Sequence, residues 1–216
     1  MKVIEMLLPM TIEGLKVTLG VFAVTLAFSL PLAVIVALLR RSKNRAISTV
    51  TAGYIYVMRG TPLLLQLMFI FFGYHFVPVI GYAFSRFQAI YIAFILNYTA
   101  YFAEIFRGGI NSIDIGQYEA AEVLGLSRPF AFIKIILPQV IKTVLPSVGN
   151  EVITLVKDTS LVYILGASDI LKAAKSVSNV YSTFSPYIII ALVYLLIIAI
   201  LTKILASVER RYNYYR

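Results

Sequence analysis

The sequence contains no cysteine and only one histidine, His75. The missing cysteines exclude disulfide bonds, thiolate metal sites and a cysteine nucleophile. A single histidine leaves little material for a histidine-rich metal site or a Ser-His-Asp triad, so His75 is interpreted as a packing or pore-mouth residue. No segment has the P-loop form GxxxxGK[ST], and this chain is therefore not expected to bind ATP itself. We predict no enzyme activity, no metal and no cofactor for this chain.

Charged residues are also scarce. They make up 13% of the 216 residues, whereas hydrophobic residues make up 60%. A soluble domain of this size would carry roughly 25% charged residues, so the composition predicts a membrane protein. The net charge of +9 does not indicate a nucleic-acid partner, because the basic residues cluster at the ends of apolar runs, as they do in membrane proteins.

Five segments are predicted to cross the membrane, since a spanning helix needs about 20 mostly apolar residues. Four carry almost no charge: residues 17–39, 60–85, 87–106, which extends past Glu104, and 188–201, which lies inside an uncharged stretch. The remaining segment, residues 140–165, is interrupted by four charges: Lys142, Glu151, Lys157 and Asp158. A charge at the bilayer centre costs roughly 2.5–3.5 kcal/mol on insertion scales. This segment is therefore predicted to face protein or water, and a soluble loop is the alternative.

The basic residues predict the topology. They follow the first span, lie between the third and the fourth, and end the chain. Five crossings place all three groups on one side, which the positive-inside rule makes cytoplasmic. The prediction is an all-α membrane protein with five transmembrane helices, its N-terminus outside and its C-terminus cytoplasmic. Residues 1–216 are predicted to form one transmembrane domain.

Three connecting segments also carry predictions. The first 16 residues contain Glu5, Pro9 and Glu13; they do not resemble a signal peptide and are expected to form a short amphipathic segment at the membrane surface. Residues 46–59 are predicted to form an oblique helix that leads into the second span. Residues 158–187 are expected at or near the outer face.

A patterned segment lies between the third and fourth spans. It reads EAAEVLGLSRPFAFIKIILP over residues 119–138. Gly125 can adopt the left-handed conformation that ends a helix, and Ser127 can cap the next one, with Pro129 at an early helical position. Pro138 is expected to disrupt that second helix just before the fourth span. The local prediction is a short helix, a sharp bend and a second helix beneath the membrane.

This segment resembles the EAA loop of ABC importer permeases. The matching residues are Glu119, Ala120, Ala121, Gly125, Ile135, Leu137 and Pro138. The stretches 58–67, 101–121 and 145–161 resemble the amino-acid branch of that family, and the likeness extends from about Gly14 to Arg211. In the family, the loop docks in a groove of the ATP-binding subunit. The cytoplasmic coupling loop is then expected over about residues 107–138, with flat Ala120 and Ala121 and charged Glu119 facing the partner; an ordinary amphipathic hairpin is the alternative.

The resemblance implies a type I ABC importer permease that moves a polar amino acid into the cytoplasm by alternating access. ATP and Mg would bind to two copies of a partner ATP-binding-cassette subunit. Further implied partners are an extracellular or periplasmic solute-binding protein and a second permease chain, for which we favour an identical copy. A two-fold pair could face its two charged fourth spans towards each other. The location implied is the bacterial cytoplasmic membrane.

Two polar stripes are candidates for the substrate path, because residues at helical spacing share one face. The candidate residues are Asn97, Tyr101, Glu104, Asn150, Glu151, Thr154, Lys157 and Asp158. The acidic groups would receive the amino acid's ammonium group, and Asn97, Thr154 or Lys157 its carboxylate. A structural network, with Glu104 or Asp158 paired to Lys157, is the alternative. The acidic residues favour a basic substrate, while glutamine, histidine, arginine, lysine and cystine all stay open.

Two other function classes were weighed. An ion-coupled secondary transporter or channel would have few spans in a chain of this length, and it would have no use for a loop that docks an ATPase. An intramembrane enzyme would need a nucleophile–base pair or a metal cluster, which one histidine and no cysteine disfavour.

Overall fold

The computed structural model describes residues 2–73 and 84–212; the predicted role of His75 concerns a residue outside these ranges. A single long helix, α1 (Lys2–Arg40), opens the chain and continues through Pro9 and Pro31. At about 1.5 Å per residue it is nearly twice as long as the ~30 Å hydrocarbon core. The prediction of a separate surface segment at the start is wrong. The reason is that one buried stripe runs on at seven-residue spacing through Leu7, Gly14 and Val21.

Helices α2 (Arg45–Gly60) and α3 (Leu63–Phe72) meet at a bend of 105°. The Asn44 side chain accepts hydrogen bonds from the first backbone N–H groups of α2. Thr61 then has extended backbone geometry, as expected before Pro62, because a proline disfavours helical geometry in the residue before it. The predicted helix over residues 46–59 is confirmed as a helix. The predicted second span, residues 60–85, contains α3, and its residues 74–83 lie outside the described ranges.

The central span of the bundle is α4 (Arg86–Asn111), which packs against α1, α2, α3 and α7. Ser85 and Gln88 form a capping box at its start. Large side chains of α4 are fully buried in the main core, among them Phe94, Tyr98 and Phe102. This helix is therefore the element around which α1, α2, α3 and α7 pack.

A short helical hairpin follows, with α5 (Ile115–Val123) and α6 (Arg128–Ala131). From α6 the chain continues without a break through a π-helical turn (Phe132–Ile136), α7 (Leu137–Asp158) and a 3₁₀ segment (Thr159–Leu165).

The prediction that Pro138 ends a separate helix is wrong. In the π-turn the Leu137 N–H donates to the Phe132 carbonyl, five residues back. This wider hydrogen-bond pattern lets the helix run into a proline that has no N–H to donate.

Two further helices complete the chain, α8 (Ile170–Tyr181) and α9 (Ser185–Tyr212). Helix α8 packs against α1 and α9, and both oxygens of Asp169 cap its first turn. In the described part of the chain, four helical segments are long and apolar enough to span a membrane, or five with the bent pair α2–α3. An all-α fold with four to five spans is therefore confirmed, and five is the upper count.

The closest approach between α1 and α8 depends on Gly14. A Cβ atom at Gly14 would lie 2.6 Å from the backbone carbonyl carbon of Asp169, whereas one at Gly20 on the same helix would meet nothing within 4 Å. We expect Gly14→Ala to lower the stability of the purified protein by about 1–3 kcal/mol, and Gly20→Ala to leave it unchanged or slightly raised. Thermal unfolding of the two variants in the same detergent measures this difference. Equal melting temperatures would contradict the assigned packing.

Candidate functional site

The break between α2 and α3 is held by two side-chain amides. The Gln66 Nε2 atom lies 2.9 Å from the Met58 carbonyl oxygen, 3.1 Å from the Thr61 carbonyl oxygen and 2.8 Å from the Thr61 hydroxyl. The Asn97 amide, on α4, donates to the Met58 carbonyl and to the Gln66 Oε1 atom, both at 3.0 Å. These contacts satisfy carbonyl groups that a broken helix would otherwise leave unpaired inside a membrane. We call this arrangement the elbow.

The elbow, α4 and α7 enclose a hollow of about 400 Å³, which we call the central hollow. It contains five of the eight residues predicted for the substrate path: Asn97, Tyr101, Glu151, Thr154 and Asp158. The two stripes predicted on separate spans therefore face one cavity. Tyr98 also lines this hollow.

Two carboxylates give the central hollow its negative charge. Glu151 and Asp158 lie two helical turns apart on α7. Asp158 accepts a hydrogen bond of 2.8 Å from the Tyr98 hydroxyl. Glu151 has no hydrogen-bond or ion-pair partner among residues 2–73 and 84–212. Neither carboxylate has a Lys or Arg nitrogen within 4 Å in that part of the chain, so both are available to a cationic group.

The amino-terminal turn of α3 provides the opposite polarity. Leu63 and Leu64 line the central hollow at the start of the helix, and Pro62 gives the turn no side-chain cap. The first N–H groups of a helix have no partner within it and carry the positive end of the helix dipole. The central hollow thus has carboxylates on one wall and the first turn of a helix, the positive end of its dipole, on another.

The other three predicted residues lie outside the lining of the central hollow. Glu104 forms an ion pair with Arg107 one turn further along α4. Asn150 and Lys157 are exposed on another face of α7. The pairing of Asp158 with Lys157 is not formed; Asp158 contacts Tyr98 instead.

The roles of Tyr98 and Gln66 were not predicted from the sequence. Tyr98 follows Asn97 directly and so lies about 100° away from the predicted stripe on the helix. Gln66 is a lone amide in an apolar run just after Gly60-Thr61-Pro62. That combination of helix breakers and a nearby amide is a signal that could have predicted the elbow.

The coupling-loop segment has the predicted bend. Gly125 has φ +71°, and the Leu126 N–H donates to the Ala121 carbonyl, which closes the left-handed helix end. Ser127 occupies the N-cap position of α6 without a side-chain hydrogen bond to the helix. The expectation of a flat surface at both alanines needs a correction. Ala120 is exposed, but Ala121 is buried within the hairpin, whose α5 packs against α6 and the π-helical turn.

The hairpin exposes large apolar side chains next to charged ones. Val123 and Leu124 are 87% and 73% exposed at the end of α5, and Glu119 lies exposed on the same helix. Further along, Pro138 is exposed, while Ile135 and Leu137 are partly buried. Large exposed apolar side chains on a polar segment are typical of a surface that contacts another protein.

Comparison with known proteins identifies the family. A family model described as the inner membrane component of binding-protein-dependent transport systems matches residues 29–214. The chain belongs to this family. It is a multi-pass transport subunit and not an enzyme, and members of the family work with an ATP-binding subunit and a binding protein.

Individual relatives match over almost the whole chain. The arginine transport system permease protein ArtQ of Bacillus subtilis is 37% identical over 206 residues, which cover 94% of this chain and 93% of the relative. A Rickettsia bellii protein provisionally named as the glutamine transport system permease GlnP is 38% identical over 201 residues, with 93% and 91% covered. A crystal structure of an amino acid ABC transporter with histidines superimposes with a TM-score of 0.85 at 37% identity, covering 94% of each chain.

The elbow should depend on Gln66 more than on other amides. We expect Gln66→Leu to leave the Thr61 carbonyl without its side-chain partner and to remove one hydrogen bond each from the Met58 carbonyl and the Asn97 amide, which keep the bond between them. The cost is about 1–3 kcal/mol for each group left unsatisfied. Gln139→Leu is the matched control, because the Gln139 amide contacts only a carbonyl of its own helix and the Gln117 side chain. Thermal unfolding in detergent should show a large loss for the first variant and a small one for the second. Similar losses would show that the amide does not hold the bend.

Proposed function

We propose that this chain is the permease of an ABC importer that carries a polar amino acid, with a basic one favoured, into the bacterial cytoplasm. The observation that carries the proposal is the central hollow. Two carboxylates on α7, which have no cationic partner in the described part of the chain, line it together with the amino-terminal turn of α3. The relatives named for arginine and glutamine transport support the same class of substrate.

The substrate fits the polarity of the central hollow. Its carboxylate would bind to the N–H groups of Leu63 and Leu64 and to the Thr154 hydroxyl, and its ammonium group to Asp158. Glu151 would then receive the cationic side chain of a basic amino acid. Charges in a dry cavity interact more strongly than in water, so an unpaired Glu151 favours cations over neutral side chains.

The exposed face of α7 supports a pair of permease chains. Thr143, Ser147, Asn150 and Lys157 are exposed along it. Polar side chains facing lipid in the middle of a span would be costly. A second, identical chain related by a two-fold axis would cover this face on both copies.

The hairpin α5–α6 is proposed to dock on one of two ATP-binding subunits that carry ATP and Mg. Its apolar tip at Val123 and Leu124 and the charge of Glu119 suit a protein groove. This side of the molecule is proposed to be cytoplasmic, together with the C-terminus, while the N-terminus lies outside and a solute-binding protein delivers substrate there. Hydrolysis on the partner would drive alternating access.

The charge of Glu151 should affect basic substrates most. We expect Glu151→Gln to reduce uptake of arginine at least several-fold more than uptake of glutamine, while the complex stays assembled, because only the cationic side chain loses its counter-charge. Proteoliposomes with the complete complex and each labelled amino acid measure this ratio. Glu13→Gln, which removes an exposed carboxylate paired with Lys16 on α1, is the control. Equal losses for both substrates with a lowered melting temperature would assign Glu151 to a structural network.

The bend at Gly125 should matter for coupling and not for insertion. A β-branched residue in the left-handed conformation costs about 1–2 kcal/mol, and no neighbouring atom lies within 4 Å of a Cβ there. We therefore expect Gly125→Val to reach the membrane yet lose ATPase stimulation and uptake together. Gly125→Asn, which tolerates the same backbone angles, should retain most of both. Normal transport by the valine variant would contradict the docking role.

A further inference from the structure

A second hollow of about 470 Å³ adjoins the central hollow and lies between the end of α1, α2 and α4. Its charged lining consists of Arg40, Arg59, Glu104 and Arg107, and we call it the arginine hollow. Three guanidinium groups and one carboxylate give it a formal charge of +2. Its polarity is therefore opposite to that of the central hollow, whose ionisable lining is acidic.

The positive charge of the arginine hollow is only partly neutralised. Glu104 pairs with Arg107. Arg40 donates to the Ser48 hydroxyl at 2.7 Å, and Arg59 lies over the Tyr101 ring at 5.2 Å. In the described ranges of the chain, neither Arg40 nor Arg59 has a carboxylate oxygen within 4 Å.

The stack of Arg59 on Tyr101 separates the two hollows. Tyr101 lines the central hollow, whereas Glu104, one turn further along α4, lines the arginine hollow. At the elbow, Gly60 lines the arginine hollow and Thr61 lines the central hollow. A solute that leaves the central hollow along α4 in the direction of Arg107 therefore passes this stack and then the guanidinium groups.

We propose that the arginine hollow is an exit vestibule whose positive charge lowers the affinity of the inward-facing central hollow for a basic amino acid, so that cytoplasmic arginine rebinds less. The inference rests on the proposed function, in which this end of α4 is cytoplasmic. The carboxylates of the central hollow attract a cationic solute, and that attraction alone would also draw cytoplasmic cations back in. A net charge of +2 at a distance of about 8 Å disfavours the return of a cation about fivefold even in water.

The test uses proteoliposomes that contain the complete complex, with ATP and Mg in the lumen and the binding protein outside. The lumen is loaded with either arginine or glutamine, and the initial rate of uptake is measured. For Arg59→Gln we expect lumenal arginine to inhibit uptake at roughly half of the concentration needed with the unaltered complex, because the net charge of the hollow falls from +2 to +1 and half of the repulsion stays. Inhibition by lumenal glutamine should not change, because glutamine carries no net charge.

Matched variants isolate the charge. Arg59→Lys retains the charge and should behave like the unaltered complex towards lumenal arginine. Arg41→Gln removes an exposed arginine from the same helix end without altering the hollow and should also leave inhibition unchanged. Arg40→Gln tests the same charge from α1 and replaces Arg59→Gln if that variant does not assemble.

The possible failures are distinguishable. Normal uptake with unaltered inhibition by lumenal arginine would overturn the vestibule and leave the proposed function standing. Uptake of neither amino acid by the unaltered complex would overturn both together. An effect that follows the anionic-lipid content of the vesicles, with no difference between arginine and glutamine, would overturn the proposal and assign the guanidinium groups to lipid headgroups.

Discussion

The structure depends on satisfying a broken backbone inside the membrane. A helix that bends by 105° leaves carbonyl groups at the end of one half and N–H groups at the start of the other. In a bilayer no water is available for these groups, so such a break persists only where protein or a cavity provides partners. The Gln66 and Asn97 amides provide them for the carbonyl side alone. The N–H side at Leu63 and Leu64 is left for the central hollow.

This division of roles bears on the two interpretations of the polar stripes. Asn97 has a structural role, since its amide donates to the elbow. Asp158 is partly engaged by Tyr98 and still faces the hollow. Glu151 faces the hollow without such a contact. A structural network and the proposed substrate site therefore occupy the same stripes: Asn97 belongs to the network, and Glu151 is the residue that the proposal assigns to the substrate.

The sequence predicted the parts that depend on local periodicity and turn chemistry. Apolar length predicted α1, α4 and α9, and the glycine after a two-turn helix predicted the left-handed bend at Gly125. It did not predict the surroundings of Glu104, although Glu104 and Arg107 are spaced for an ion pair. Helical spacing predicts which face of a helix a residue occupies, but it does not predict which other helix packs against that face. Here α1 and α2 place Arg40 and Arg59 in the hollow that Glu104 lines. Residues of α7 share the other hollow with Asn97 and Tyr101, which lie earlier on α4.

The continuous segment from Arg128 to Leu165 connects the coupling hairpin to the central hollow. The exposed Pro138 lies near one end and Glu151 lies 13 residues further, about 20 Å along the axis. A break at Pro138 would have let the hairpin move without the carboxylates, because two short helices can pivot independently. The π-turn removes that freedom by keeping the hydrogen-bonded helix intact. In the proposed docking of the hairpin on an ATP-binding subunit, a push on the hairpin would therefore displace Glu151 and Asp158 together with it, while Gln66 and Asn97 hold the elbow to α4.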